Sequence, residues 1–139
     1  DLWLRAQIAL CCVLALNRTE TVYFSATRDS AGEALDGKCT YRLEGNDLDA
    51  RWWSVTSYAS DNFLIPNAQS KYSVSKTNVE WLADGKWIAR AAPEPVEGNW
   101  LPTARDGFTL TLRIYNPSKA LQDGLATATL PTIVKEACQ

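Results

Sequence analysis

The sequence predicts a mainly β protein: a jelly-roll-like β-sandwich with one N-terminal α-helix packed on it. Three observations lead there. Apolar residues recur at three- and four-residue steps near the N-terminus alone, alternation at period two runs through most of the remainder, and turn residues separate the alternating stretches. Many short strands beside one substantial helix fit packed sheets better than a bundle or a doubly wound α/β fold. At 139 residues the chain fits a single domain, 1–139, and no repeat, linker or low-complexity segment divides it.

The helix is expected over residues 1–17. Leu4, Ile8, Cys11, Cys12, Ala15 and Leu16 fall on one face, Asp1 serves as a cap and Asn17 as the stop. Its apolar run from Ile8 to Leu16 is too short to cross a bilayer. The sandwich is expected over 21–138. It opens with "ETVYFSATR", where Val22, Phe24 and Ala26 face one way and Tyr23, Ser25 and Thr27 the other. "CTYRL" follows the Asp36-Gly37 turn, then "RWWSVTSYA", in which Trp52 and Trp53 must point to opposite sides. "KYSVS" comes next, and "VEWLA" and "KWIARA" flank Asp84-Gly85 as a hairpin whose turn needs the positive φ that Asp and Gly tolerate. In "FTLTLRIY" the residues Phe108, Leu110, Leu112 and Ile114 form a core side, leaving Thr109, Thr111, Arg113 and Tyr115 to solvent or to the floor of a groove. "SKALQDG" adds one helical turn, and "LPTIVKEA" reads as an edge strand.

Composition removes several functions. The net charge of -2 with dispersed Lys and Arg leaves no footprint for nucleic acid. With no histidine, and with Cys11 and Cys12 adjacent, the four cysteines lack the spacing of a zinc site, so no metal is expected. No phosphate loop, nucleophile elbow or Ser-Lys signature appears, so no catalytic residue is assigned and no cofactor is implied. A pair of carboxylates needs no local motif, and an enzyme built on one stays open. The chain contains no methionine, which leads us to expect a segment upstream of Asp1.

Cys39 opens a strand and Cys138 is the penultimate residue. A disulfide between them would tie the C-terminal tail onto the sheet and close a loop of about 100 residues, stabilising the fold by roughly 4–5 kcal/mol in the chain-entropy account. It implies an oxidising compartment. The competing reading is four reduced, buried thiols in a cytosolic protein.

The stretch "GNWLP" carries two readings as well. Gly98 permits a backbone closed to other residues, Asn99 can bond local backbone and Pro102 cannot donate to a ladder, so the segment suits a corner lidded by Trp100. In the functional reading Asn99 and Trp100 join the outward Arg113 and Tyr115 in a polar and aromatic pocket for a small ligand or glycan.

"RWWSVTSYASDNFLIPN", "YSVS", "GNWLPT" and "FTLTLRIYNP", in that order, resemble the bacterial family known as domain of unknown function 1214, from about Thr21 to Cys138. The positions that match its signature are Asn67, Tyr72, Asn99, Trp100, Leu101, Pro102, Arg113 and Tyr115. The resemblance implies a jelly-roll-like sandwich and a place in the cell envelope, on the periplasmic side, with a membrane reached only through an N-terminal anchor preceding this chain. It implies no chemistry. The function expected is a non-catalytic envelope module that binds a glycan, a small molecule or an envelope partner through Asn99, Trp100, Arg113, Tyr115, Asn67 and Tyr72. The alternative is an enzyme acting on a small molecule or saccharide with carboxylate and Arg chemistry. Oligomeric state is not readable from the sequence.

Overall fold

A computed structural model describes residues 19–139. Two four-stranded sheets face each other. The first runs in the order β1 (Thr21–Ala26), β7 (Phe108–Pro117), β3 (Ala50–Ala59), β4 (Ser73–Ser75), and the second β6 (Asn99–Pro102), β5 (Lys86–Ala92), β2 (Cys39–Asn46), β8 (Thr132–Cys138). All neighbours pair antiparallel except β5 and β6, which run parallel.

The alternation in β7 reads straight into this architecture. Phe108, Leu110, Leu112 and Ile114 are all buried between the sheets. Opposite them on the second sheet stand Tyr41, Leu43, Trp87, Ala89 and Ala91. Aromatic residues fill one part of this core. Trp53 stacks on Trp87 at 5.1 Å, Trp81 meets Trp53 edge-on at 6.0 Å, and Tyr41 meets Phe108 edge-on at 5.9 Å. The buried indoles keep their N–H groups bonded, Trp53 Nε1 donating to Asp47 Oδ1 and Trp87 Nε1 to the Asn46 carbonyl. Gly45 makes room for this, since a Cβ there would come within 2.9 Å of the Trp87 ring. Trp52 and Trp53 do point to opposite faces, Trp53 into the core and Trp52 against Tyr115 outside it.

Cys39 and Cys138 are register partners on β2 and β8, and a disulfide joins them. Nearby, the loop after β1 is fastened to β8 by Ser30, whose N–H donates to the Ile133 carbonyl while its Oγ accepts from the Ile133 N–H. Glu33 pairs with Lys135 in the same region, and its carboxylate raises the Lys135 ammonium above its ordinary range against a smaller opposing effect of desolvation.

Two expectations need correction. The helix over residues 1–17 lies outside the described residues. Within these, helix amounts to α1 (Lys119–Asp123), capped by Ser118 Oγ, and a 3-10 turn, Leu125–Thr127, neither of which buries a residue. The fold class is therefore mainly β, with two sheets and no packed helical layer among the described residues. The physical reason is that each sheet buries its apolar face against the other. The parallel β5–β6 pair also departs from the wholly antiparallel pairing that a jelly-roll carries. The second correction concerns "VEWLA". The Asp84-Gly85 turn forms, with Gly85 at φ 79°, but only the bridge Trp81–Trp87 pairs across it. The Glu80 backbone that would extend the ladder is bonded instead by the side chain of Asn99.

Candidate functional site

The residues that the sequence singles out fall into three separate places. The first is the free edge of the second sheet. Gly98, at φ 82°, turns the chain into β6, and the proline that ends this strand is tolerated because β6 has no neighbour beyond it. Asn99 is buried here, and both of its side-chain polar atoms are bonded within the chain. Its Oδ1 accepts from the Glu80 N–H at 2.9 Å, and its Nδ2 donates to the carbonyls of Ile88 at 2.9 Å and Glu80 at 3.2 Å. Trp100 is 4% exposed, with Nε1 donating to the carbonyl of Ala92, the last residue of β5. Leu101 is fully buried in the core. "GNWLP" is thus a strand with a fixed entry turn. A cleft of about 300 Å³ opens beside it, lined by Glu80, Trp81, Arg90, Glu97 and the rim of Asn99. Its exposed indole is Trp81, at 39%, and not Trp100.

The second place is the loop before β4. Asn67 staples it, its Oδ1 accepting from the Lys71 N–H and its Nδ2 donating to the carbonyls of Ile65 and Lys71. This ring of bonds closes the turn in which Ser70 holds a positive φ. Tyr72 follows it, 37% exposed, on the wall of a shallow depression with Gln69 and Ser73.

The third place is the outer face of the first sheet. Register sets Tyr23, Arg113 and Ser54 in one row across β1, β7 and β3, and Ser25, Thr111 and Thr56 in the next. Alternation with the buried Val22, Leu112 and Val55 turns these rows away from the core, and Ser54, Thr56 and Thr111 within them are themselves buried. Arg113 sits at the centre. Its Nη2 donates to the Tyr58 hydroxyl at 2.6 Å, and its guanidinium carbon lies 5.3 Å from the Tyr58 ring centroid and 5.6 Å from that of Tyr23. No carboxylate pairs with it among the described residues, whose ion pairs all involve other cations. Tyr115 and Trp52 lie in the row on the other side of Arg113, rings 5.5 Å apart, with Trp52 Nε1 donating to Thr77 Oγ1. On the same face the Thr21 hydroxyl is buried without a hydrogen-bond partner. A half-buried guanidinium held by ring faces and one phenol keeps donors available for an anion, because aromatic faces attract a cation without occupying its N–H groups.

The structure therefore brings Arg113 and Tyr115 onto one face and leaves Asn99 and Trp100 on the other sheet, apart from them. Sequence reasoning missed Tyr23 and Tyr58, although both occupy outward positions in their alternating strands. Among the described residues no group of three or more Cys, Asp or Glu is arranged to hold a metal ion. No helix among them is long and apolar enough to cross a membrane.

The family model described as "Protein of unknown function (DUF1214)" matches residues 20–119. Among solved structures the chain is similar to the VPA0106 protein of Vibrio parahaemolyticus, with 25% identity and a TM-score of 0.79 over 89% of this chain and 32% of that one. It is also similar to an uncharacterised protein from Burkholderia cenocepacia, with 17% identity and a TM-score of 0.55 over 97% of this chain and 39% of that one. The second likeness concerns the fold alone. The chain spans well under half the length of either protein. No curated protein matches it.

Proposed function

The chain belongs to the DUF1214 family, and on that premise we propose that it is a non-catalytic binding module whose ligand carries an anionic group, a small organic acid or an acidic glycan unit. The observation that carries this reading is Arg113, a cation positioned by Tyr23 and Tyr58 with no carboxylate partner among the described residues. A positioned guanidinium offers a carboxylate or phosphate two parallel donors. The hydroxyls of Ser25 and Thr111, 3.5 Å apart, lie in the row on one side of Arg113 and suit a polyol, and the Trp52–Tyr115 pair offers ring faces in the row on its other side. The reading places the module on the periplasmic side of a bacterial envelope. The Cys39–Cys138 disulfide supports an oxidising compartment of that kind.

The test is titration calorimetry with glucuronate, glucose and inorganic phosphate. Glucuronate binds and glucose does not, and Arg113→Gln weakens glucuronate binding at least tenfold while the folded circular-dichroism spectrum is kept. Equal binding of the neutral and acidic sugars, unaltered binding by the variant, or no binding of any acidic probe would overturn the reading.

A second reading, an enzyme acting on a saccharide, draws on the cleft that holds both Glu80 and Glu97 beside the exposed Trp81. It requires turnover of a chromogenic glycoside that is lost in both Glu80→Gln and Glu97→Gln. The absence of turnover with a panel of such substrates would dispose of it.

A further inference from the structure

Between the two sheets, where the edge strand β1 stands over the edge strand β8, the core does not fill. A cleft of about 220 Å³, half open to solvent, remains there. Its deep wall is made by the buried Leu43, Val55 and Leu112, one from each of β2, β3 and β7. Its rim is made by Phe24, Leu130 and Ile133, which are partly exposed. The lining side chains are apolar apart from that of Ser25, whose hydroxyl turns to the outer face beside Thr111.

Two features explain why the space is not closed by collapse. The stacked Trp53 and Trp87 hold the sheets apart elsewhere in the core, and facing sheets keep a spacing of about 10 Å set by their bulkiest contacts. The aliphatic side chains of the β1–β8 side are too small to fill that spacing. The loop after β1 also ties this edge to β8, because Ser30 bonds the Ile133 backbone through both its N–H and its Oγ. Protein interiors otherwise retain few voids larger than a water molecule. Water gains little here, since a buried water needs two to four polar partners and the wall supplies none.

We infer that this cleft is a binding site for an unbranched hydrocarbon tail. An apolar cavity of roughly 150 Å³ accepts benzene, so this one takes about six to eight carbons. The tail enters between Phe24 and Leu130, and its polar end stays outside in solvent. The site is separate from the Arg113 face, because Phe24 and Leu112 point to the opposite side of the first sheet from Tyr23 and Arg113.

The probe is 1-octanol, read by methyl resonances in a carbon-13 spectrum and by thermal unfolding. Octanol shifts the methyl signals of Leu43, Val55 and Leu112, and at ten times its dissociation constant raises the Tm by about 3–6 °C. Ala26→Phe, which places a ring at the cleft wall, weakens octanol binding at least tenfold. Leu130→Trp makes the same comparison at the other side of the rim if the first variant fails to fold. Octanoate binding with the same methyl shifts shows that the tail alone is recognised, whatever its head. Methyl signals and Tm that do not respond to octanol, or equal responses in wild type and the filled variant, would overturn the site.

Discussion

At the β6 edge the Asn99 amide has every polar atom bonded to backbone, whereas on the outer face of the first sheet the Arg113 guanidinium meets two tyrosine rings and a single hydroxyl. Both are polar residues on strands, half or fully withdrawn from water. The first replaces the missing partner strand that residues 79–83 would have supplied, and its removal leaves backbone groups without bonds. On the proposed reading, a polar residue of the fold is told from one that serves a ligand by whether its hydrogen-bonding groups are engaged inside the chain.

The comparison breaks most visibly at Trp100. Truncation to Ala removes a buried indole and one of the two donors to the Ala92 carbonyl, which then keeps only the Thr103 N–H. A loss of about 3–5 kcal/mol in urea unfolding is expected. A fully stable variant would mean that this edge is not structural and would return Trp100 to the list of ligand-binding residues. Asn99→Ala comes next in size. It strips the Glu80 N–H and the carbonyls of Glu80 and Ile88 of their partners, a loss of about 1–3 kcal/mol. Hydrogen exchange at the Glu80 amide should accelerate with it, and an unchanged exchange rate would show that water replaces the side chain at no cost.

Much of this was legible in the sequence. β7 could be read residue by residue because a strand with one buried face alternates, and the disulfide could be read because a strand start and a chain end each carried a cysteine. β6 was not legible as a strand, since four residues between a glycine and a proline show no period, and parallel pairing with β5 leaves no hairpin signal. The candidate pocket combined residues 99–100 with 113–115 because they are close in the chain. The connection between them crosses from one sheet to the other, and local sequence does not record which sheet a strand joins. The tyrosine cradle is the converse case. Tyr58 and Arg113 are 55 residues apart and meet only because β3 and β7 are neighbours, which requires the topology. The signal was present in weaker form, in that "TVYFSA" and "WSVTSY" both place a tyrosine on the polar side of the alternation.

The smallest expected effect is also the sharpest test of the contrast. Tyr58→Phe removes the phenol oxygen that accepts from Arg113 Nη2 and keeps the ring 5.3 Å from the guanidinium. If Arg113 is held for a ligand, the protein loses no more than about 0.5–1.5 kcal/mol of stability, the net worth of one hydrogen bond, because the sheet beneath is unaltered. Glucuronate binding then weakens by a few-fold and not by the tenfold or more expected of Arg113→Gln, since the two rings still orient the cation and only one restraint is gone. Calorimetry and urea unfolding on the single variant decide the matter together. A loss of several kcal/mol with no separate change in binding would mean that Arg113 and Tyr58 lock β7 to β3 as Asn99 locks β6 to the Glu80 backbone, and both regions would then be parts of the fold.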